Sequence, residues 1–456
     1  MQILEFLKKT FLKPQVFEDE NLSEEDALGI NFNVVVIEFA ENVESSAGEI
    51  LTALLRTQNY LTVNYFNEPF NKNFLNLEGR TFFDFIDKGQ AILDKTKADV
   101  LIWGCREGDK IRLNFQTSMQ YEKDNMSFVS LLDSLYLPAT AFESSASFPS
   151  SLLYLIVGAV VSSLGVTDKQ RLIQQKFVLK KIIKILSGDN SAKNMGLEYL
   201  PYIMNFLALV YMTYCCRRDN EKEYKTVKNL LDTAIQHQDL IKNPLHLGCI
   251  YNHLGQLHAT AIDRLKKNPV KHYKGAISNF QRAQKYLGKY VYPYDYGFIS
   301  FSLSNLLYDF WKQKDDLQAL RDSVFNLREA EKIFTYALFP EFWANIEGIL
   351  GHRLNVLSSL TKNNAIAEMS VGAYKNQQKI ITEKRDPFMW AGIQENIGNV
   401  YYRLGRETED KDLLEESLEY YHDALYIFEN MELDDSAKRL TSSIAKTSSL
   451  LSQITE

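Results

Sequence analysis

The chain has 456 residues, 51 basic against 58 acidic, and a net charge of −7. That length allows two or three domains whose cores need no covalent staples, and the mild acidity excludes a general nucleic-acid binder. Four cysteines, including the adjacent Cys215 and Cys216, form no CxxC pair, which leaves neither a disulfide framework nor a zinc site and suits a reducing cytoplasm.

Residues 1–29 open with "MQILEFLKKTFLKP", where Glu5 interrupts the apolar run and the lysines follow it. That order is wrong for a secretory signal. It predicts a tail with a short amphipathic helix, with contact to a membrane surface through Lys8, Lys9 and Lys13 as the lesser alternative. Residues 30–147 then alternate between strand and helix patterns: a strand over Val34–Phe39, a helix over Ala47–Tyr60, a strand over Leu61–Phe66 and a helix over Phe82–Ala98. Strands over 99–104 and 110–115, joined by a turn at Cys105–Asp109, and a further strand within 126–137 complete a small α/β domain. Its loops contain no glycine-rich phosphate cradle and no nucleophile elbow, and Glu41, Glu44 and Glu49 after the first strand would repel phosphate. Asp84, Asp87 and Asp94 read as a solvated helix face, and Asp99 and Trp103 as edge and core positions. No cofactor, metal-ligand set or catalytic group is expected in this domain.

Residues 148–190 predict a capping helical hairpin. The apolar run Ser151–Gly165 is short of the roughly 20 residues that span a bilayer, so it reads as a buried helix, with a membrane anchor as the lesser alternative. The second helix, Lys169–Leu186, carries Lys169, Lys176, Lys180 and Lys184 on one face. That face is either solvated or, through Lys176, Lys180 and Lys184, a dock for an acidic partner or anionic lipid.

From 195 to 435 the sequence repeats. Small residues recur at Ala208, Gly255, Ser304, Gly351 and Gly398, and large apolar residues at Leu200, Leu247, Tyr296, Trp343 and Trp390. Pro244, Pro293, Pro340 and Pro387 mark the same period, 47 residues with one two-residue insertion. A second set of columns runs through Val227, Ala276, Ser323, Ser370 and Ser417, then Leu231, Phe280, Leu327, Tyr374 and Tyr421. A third joins Ala234, Ala283, Ala330, Gln377 and Ala424. Five copies of a two-helix unit follow, none able to bury its own apolar face without a neighbour. Asp435–Ile454, within 436–456, predicts a final amphipathic helix that covers the last repeat.

The segments "NIGNVYYRLG", with Ile397, Gly398 and Tyr401, and "EESLEYYHDAL", with Ser417, Tyr421 and Ala424, resemble a tetratricopeptide repeat. The family's unit has about 34 residues, so the resemblance implies lengthened repeats; seven extra residues are expected between the helices, as in Arg406–Leu414, and the rest within them. A small α/β domain followed by such units is similar to bacterial multi-repeat proteins, and "ADVLIWG" with its hairpin resembles the N-terminal domain of TolB-like proteins. The implied architecture is an α/β N-terminal domain followed by an all-α tetratricopeptide-like solenoid.

In that superfamily the first helices line a concave groove. The residues directly after the small column are Leu209, Gln256, Asn305, His352 and Asn399; one turn on come Ala259, Tyr308, Asn355 and Tyr402, with Arg403 beside the last. The resemblance implies a non-enzymatic scaffold or adaptor whose groove takes a protein or peptide segment through Gln256, Asn305, Tyr308, His352, Asn355, Asn399, Tyr402 and Arg403. The amides are expected to face solvent until a partner arrives; bridges between neighbouring helices are their other reading. An alternative function is a ligand-sensing regulator whose α/β domain binds a small molecule.

Overall fold

The computed structural model describes residues 31–40, 47–67, 80–117, 132–164, 175, 177–182, 196–215, 221–265 and 268–455. The N-terminal helix expected within 1–29, Glu41, Glu44, Lys169, Lys176, Lys184 and Cys216 lie outside them. The chain divides into two compact units, Met1–Ile299 and Ser300–Glu456. The sheet therefore shares a unit with the first helix pairs.

The first unit holds a five-stranded sheet in the order β2-β1-β3-β4-β5. β1 (Phe32–Ile37) lies between β2 (Leu61–Phe66) and β3 (Val100–Glu107), parallel to both. Val34, Val35 and Val36 are all fully buried, as an unbroken β-branched run requires of a strand covered on both faces. Strand β2 has one neighbour and alternates buried with exposed residues. Helices α1 (Ala47–Leu55) and α2 (Arg80–Thr96) make the crossovers. Asp84, Asp87 and Asp94 are exposed on α2, and Asp99 accepts a hydrogen bond from the Asn33 backbone N–H at 2.8 Å. Trp103 is core, edge-to-face with Phe85.

β3 and β4 (Lys110–Thr117) form an antiparallel hairpin. The turn is shorter than the expected Cys105–Asp109, because β3 runs on to Glu107 and only Gly108 and Asp109 remain to reverse the chain. Gly108 takes φ +66°, a left-handed conformation that glycine adopts without a Cβ penalty. β5 (Ser134–Pro138) pairs antiparallel with β4. The apolar run becomes α3 (Ser150–Ser163), buried on nearly every side, and α4 (Leu200–Cys215) packs on β5. No helix among the described residues is long and apolar enough to cross a membrane.

The repeat is present as paired helices. In the first unit α4 pairs with α5 (Glu221–Gln236), and α6 (Leu245–Leu265) with α7 (Pro269–Tyr286). Helix α8 (Pro293–Lys314) begins in the first unit and is followed by α9 (Leu317–Glu331). In the second unit α10 (Pro340–Thr361) pairs with α11 (Asn364–Gln377), α12 (Pro387–Thr408) with α13 (Lys411–Asn430), and α14 (Asp434–Thr455) closes the series on α13.

The expected loop at Arg406–Leu414 is corrected. Helix α12 continues to Thr408 and α13 starts at Lys411, so two residues, Glu409 and Asp410, turn the chain. The same turn recurs at Asp315–Asp316 and Lys362–Asn363: the first residue is left-handed, with φ 51° to 54°, and the second caps the next helix through its side-chain oxygen. A cap that satisfies exposed N–H groups at once lets both helices run to the turn, so the added length is helical.

The small column is set by what faces it. A Cβ on Gly255, Gly351 or Gly398 would stand 2.6–2.7 Å from the ring of Phe280, Tyr374 or Tyr421. Where the facing residue is Leu231 or Leu327, the column holds Ala208 or Ser304 instead. An aromatic ring laid flat on the first helix leaves no room for a side chain. Serines clamp the last three pairs: Ser304 Oγ donates from the first helix to the Ser323 carbonyl at 2.6 Å, and Ser370 and Ser417 Oγ donate from second helices to the carbonyls of Gly351 at 2.6 Å and Gly398 at 2.9 Å.

Candidate functional site

Asn305, Tyr308, His352, Asn355, Asn399, Tyr402 and Arg403 all lie on first helices of the second unit, because a 47-residue period returns each to the same helical face. The expectation that their amides stand free is corrected. Asn305 Oδ1 accepts from an Arg353 guanidinium nitrogen at 2.5 Å, and Asn355 Oδ1 accepts from Arg403 at 3.1 Å. Asn399 Oδ1 accepts from Tyr421 Oη at 2.8 Å, on the second helix of its own pair. His352 Nε2 meets Tyr308 Oη at 2.8 Å. Tyr402 lies beneath the Arg406 guanidinium. The surface is thus a bonded lattice of amides, phenols and guanidinium groups across successive repeats. In the first unit, half-buried Gln256 holds its Oε1 buried without a hydrogen-bond partner.

Arg353, which sequence reasoning passed over, is the exception within this lattice. Two residues after each small residue the column reads Val210, Leu257, Leu306, Arg353 and Val400, every one buried. Arg353 is only 4% exposed. Its guanidinium donates to Ser304 Oγ and Asn305 Oδ1 and lies 4.8 Å from the centroid of the Tyr308 ring, while Nε has no partner. No carboxylate pairs with it among the described residues. Burial pushes its pKa down to about 10, since a charge out of water needs a counter-charge or dense hydrogen bonding. Arg403 differs: it has the Glu407 carboxylate at 3.4 Å and Ser358 Oγ at 2.6 Å. Burial also lowers His352, with Arg353 beside it adding to the effect.

The first unit contains a second polar cluster without a repeat. Asp133, just before β5, and His253 on α6 are both fully buried. His253 Nε2 faces Asp133 Oδ2 at 3.1 Å, its Nδ1 faces Asn205 Oδ1 at 2.8 Å, and Asn205 Nδ2 donates to Asp133 Oδ1 at 3.1 Å. The donation by Asn205 fixes which way its amide points, so both imidazole nitrogens face oxygen acceptors. An aspartate–histidine pair can serve catalysis when the outer ring nitrogen faces a nucleophile in an open cleft; here that nitrogen faces an amide in the core. Arg112 and Asn114 of β4 extend the cluster to Ser134, at 2.9 Å and 2.8 Å.

Lys180 of the expected basic dock is half-buried within helical residues 177–182. Among the described residues no group of three or more His, Cys, Asp or Glu is placed to hold a metal ion.

No family model matches the sequence, and no curated protein matches it. Among solved structures the chain is similar to the TPR2AB-domain:pHSP90 complex of yeast Sti1, at 13% identity and a TM-score of 0.20, over 61% of this chain and 92% of that one. It is also similar to a circular tandem repeat protein with novel repeat topology, at 14% identity and a TM-score of 0.25, over 67% and 77%. Overall likeness at that level carries no argument about what this chain binds; the repeat rests on its own helix pairs and columns.

Proposed function

We propose that the chain is a non-enzymatic interaction scaffold whose second unit takes an acidic segment of a partner protein on the face of Asn305, Tyr308, His352, Asn355, Asn399, Tyr402 and Arg403. The observation that carries this reading is Arg353, a buried cation held only by neutral acceptors where its column is otherwise aliphatic. Positions that break a repeat's own rule are where function is expected. Exchange of the neutral Asn305 acceptor for a carboxylate supplies the missing counter-charge, and charge-assisted hydrogen bonds are about twice as strong as neutral ones. Lys312, whose Nζ is 5.1 Å from the Tyr308 ring centroid, is paired with Asp309 at 2.7 Å, a pair that an acidic segment would compete with.

Arg353→Leu tests the reading, because it restores the aliphatic column. Replacing a buried charge by a packed apolar residue is often neutral or stabilising, so the variant should melt at or above the wild-type temperature. Proteins that co-purify with the full chain and carry acidic segments should be lost. A variant that keeps its partners removes the anchor, and one that melts far lower makes Arg353 structural.

A further inference from the structure

A histidine pair in the first unit plays no part in that reading. His258 on α6 and His272 on α7 are 14 residues apart in sequence, and the helix pair brings their Nδ1 atoms to 3.3 Å. Tyr224 of α5 places its Oη 3.2 Å from the same His258 nitrogen. Both histidines are 7% exposed and Tyr224 is half-buried, so the cluster is enclosed but not sealed. The close approach depends on Gly275, where a Cβ would stand 2.7 Å from the His258 ring.

Hydrogen bonding alone serves this cluster poorly. His258 Nδ1 has either one lone pair or one proton to offer, and two polar neighbours stand at nearly equal distance. Zinc–nitrogen bonds of about 2.0 Å give a tetrahedral edge of roughly 3.3 Å, which matches both measured separations. Burial, then the neighbouring His272, pushes His258 down to about 4, and burial and Lys271 lower His272.

We propose that His258 and His272, with the Tyr224 phenol as a weaker third donor, form a binding site for a borderline divalent transition-metal ion of the zinc and copper class. Imidazole donors suit such ions, whereas magnesium and calcium take oxygen ligands. The nearby charges limit affinity without forbidding binding: Lys228 is paired to Asp232 at 2.5 Å, and Lys271 contributes one repulsive charge.

The test uses the full chain stripped of metal. Calorimetric titration with Zn²⁺ should show a site that His258→Gln and His272→Gln each weaken by about tenfold to a hundredfold, while His237→Gln leaves it intact. Cu²⁺ bound to the wild type should show coupling to two nitrogens in its electron paramagnetic resonance spectrum. Absence of a Zn²⁺ site, or a site that both variants retain, overturns the assignment. Should either variant fail to fold, ring-nitrogen resonances of the wild type decide: His258 and His272 shift together on adding Zn²⁺, or the proposal fails.

Discussion

The two units bury polar groups by opposite means. In the second, hydroxyls recur in register: Ser370 and Ser417 donate from second helices to the Gly351 and Gly398 carbonyls, and Ser304 closes its pair by the reverse bond, from the first helix to the Ser323 carbonyl. In the first, Asp133, Asn205 and His253 meet once, from a strand edge and two different helices, and nothing among the described residues repeats them. A repeated bond is replaceable, because its neighbours hold the same register independently. A unique buried contact is not, because no other helix pair supplies a substitute for it.

The largest test of that difference is Asp133→Ala. It strands His253 and Asn205 in the core, and breaking a buried pair costs about 3–5 kcal/mol, so denaturant unfolding of the first unit should move to much lower concentration. An unchanged midpoint would erase the contrast. Gly351→Leu in the second unit should cost less, about 1–3 kcal/mol, because one overpacked helix pair leaves the others intact. Adding Tyr374→Leu to Gly351→Ala should return most of the loss of that milder variant, reproducing the leucine-with-small-residue pairing of Ser304 and Leu327. A double variant no better than the single one would show that the ring does not dictate the glycine.

Glu347 gives a smaller effect with a pH signature. Its side chain is fully buried, and burial, then Glu331, raises it from 4.5 to about 8. The unfolded chain releases this proton near pH 4.5 and the folded one only near 8, so its influence on stability is least unfavourable below 4.5. Stability declines as pH rises between those values and levels off above. Glu347→Gln should abolish that decline and gain on the order of 1 kcal/mol at pH 8, read from melts across the range. Smallest is Glu409→Gly, which relieves a side-chain-bearing residue of its left-handed strain at φ 54°; that strain of about 1–2 kcal/mol, less glycine's entropic cost of about 0.5–1 kcal/mol, leaves a gain of up to about 1 kcal/mol, and a loss would mean the two-residue turn is not the hinge of the pair.

The candidate surface was legible in part. The 47-residue period by itself places Asn305, His352 and Asn399 on equivalent first helices, since identical spacing on identical helices returns the same face. What those side chains touch was not legible. Asn305 meets Arg353 from 48 residues away and Asn399 meets Tyr421 from the paired helix, and such contacts depend on rotamers and interhelical distances that spacing does not encode. Arg353 did leave a mark in the sequence, as the one charged member of an aliphatic column.

The sequence alone determined the alternating α/β segment, the existence of paired helices and the place of each small residue, because periodicity of apolar and small side chains is a local property that any packing must respect. Tertiary structure alone decided where the strands end, that the added length is helical and not loop, and that Asp133 reaches His253 across 120 residues. It also decided that His258 and His272 meet nitrogen to nitrogen. These outcomes turn on desolvation and on close approach between elements distant in sequence, and a buried polar group shows no period by which a reader could find its partner.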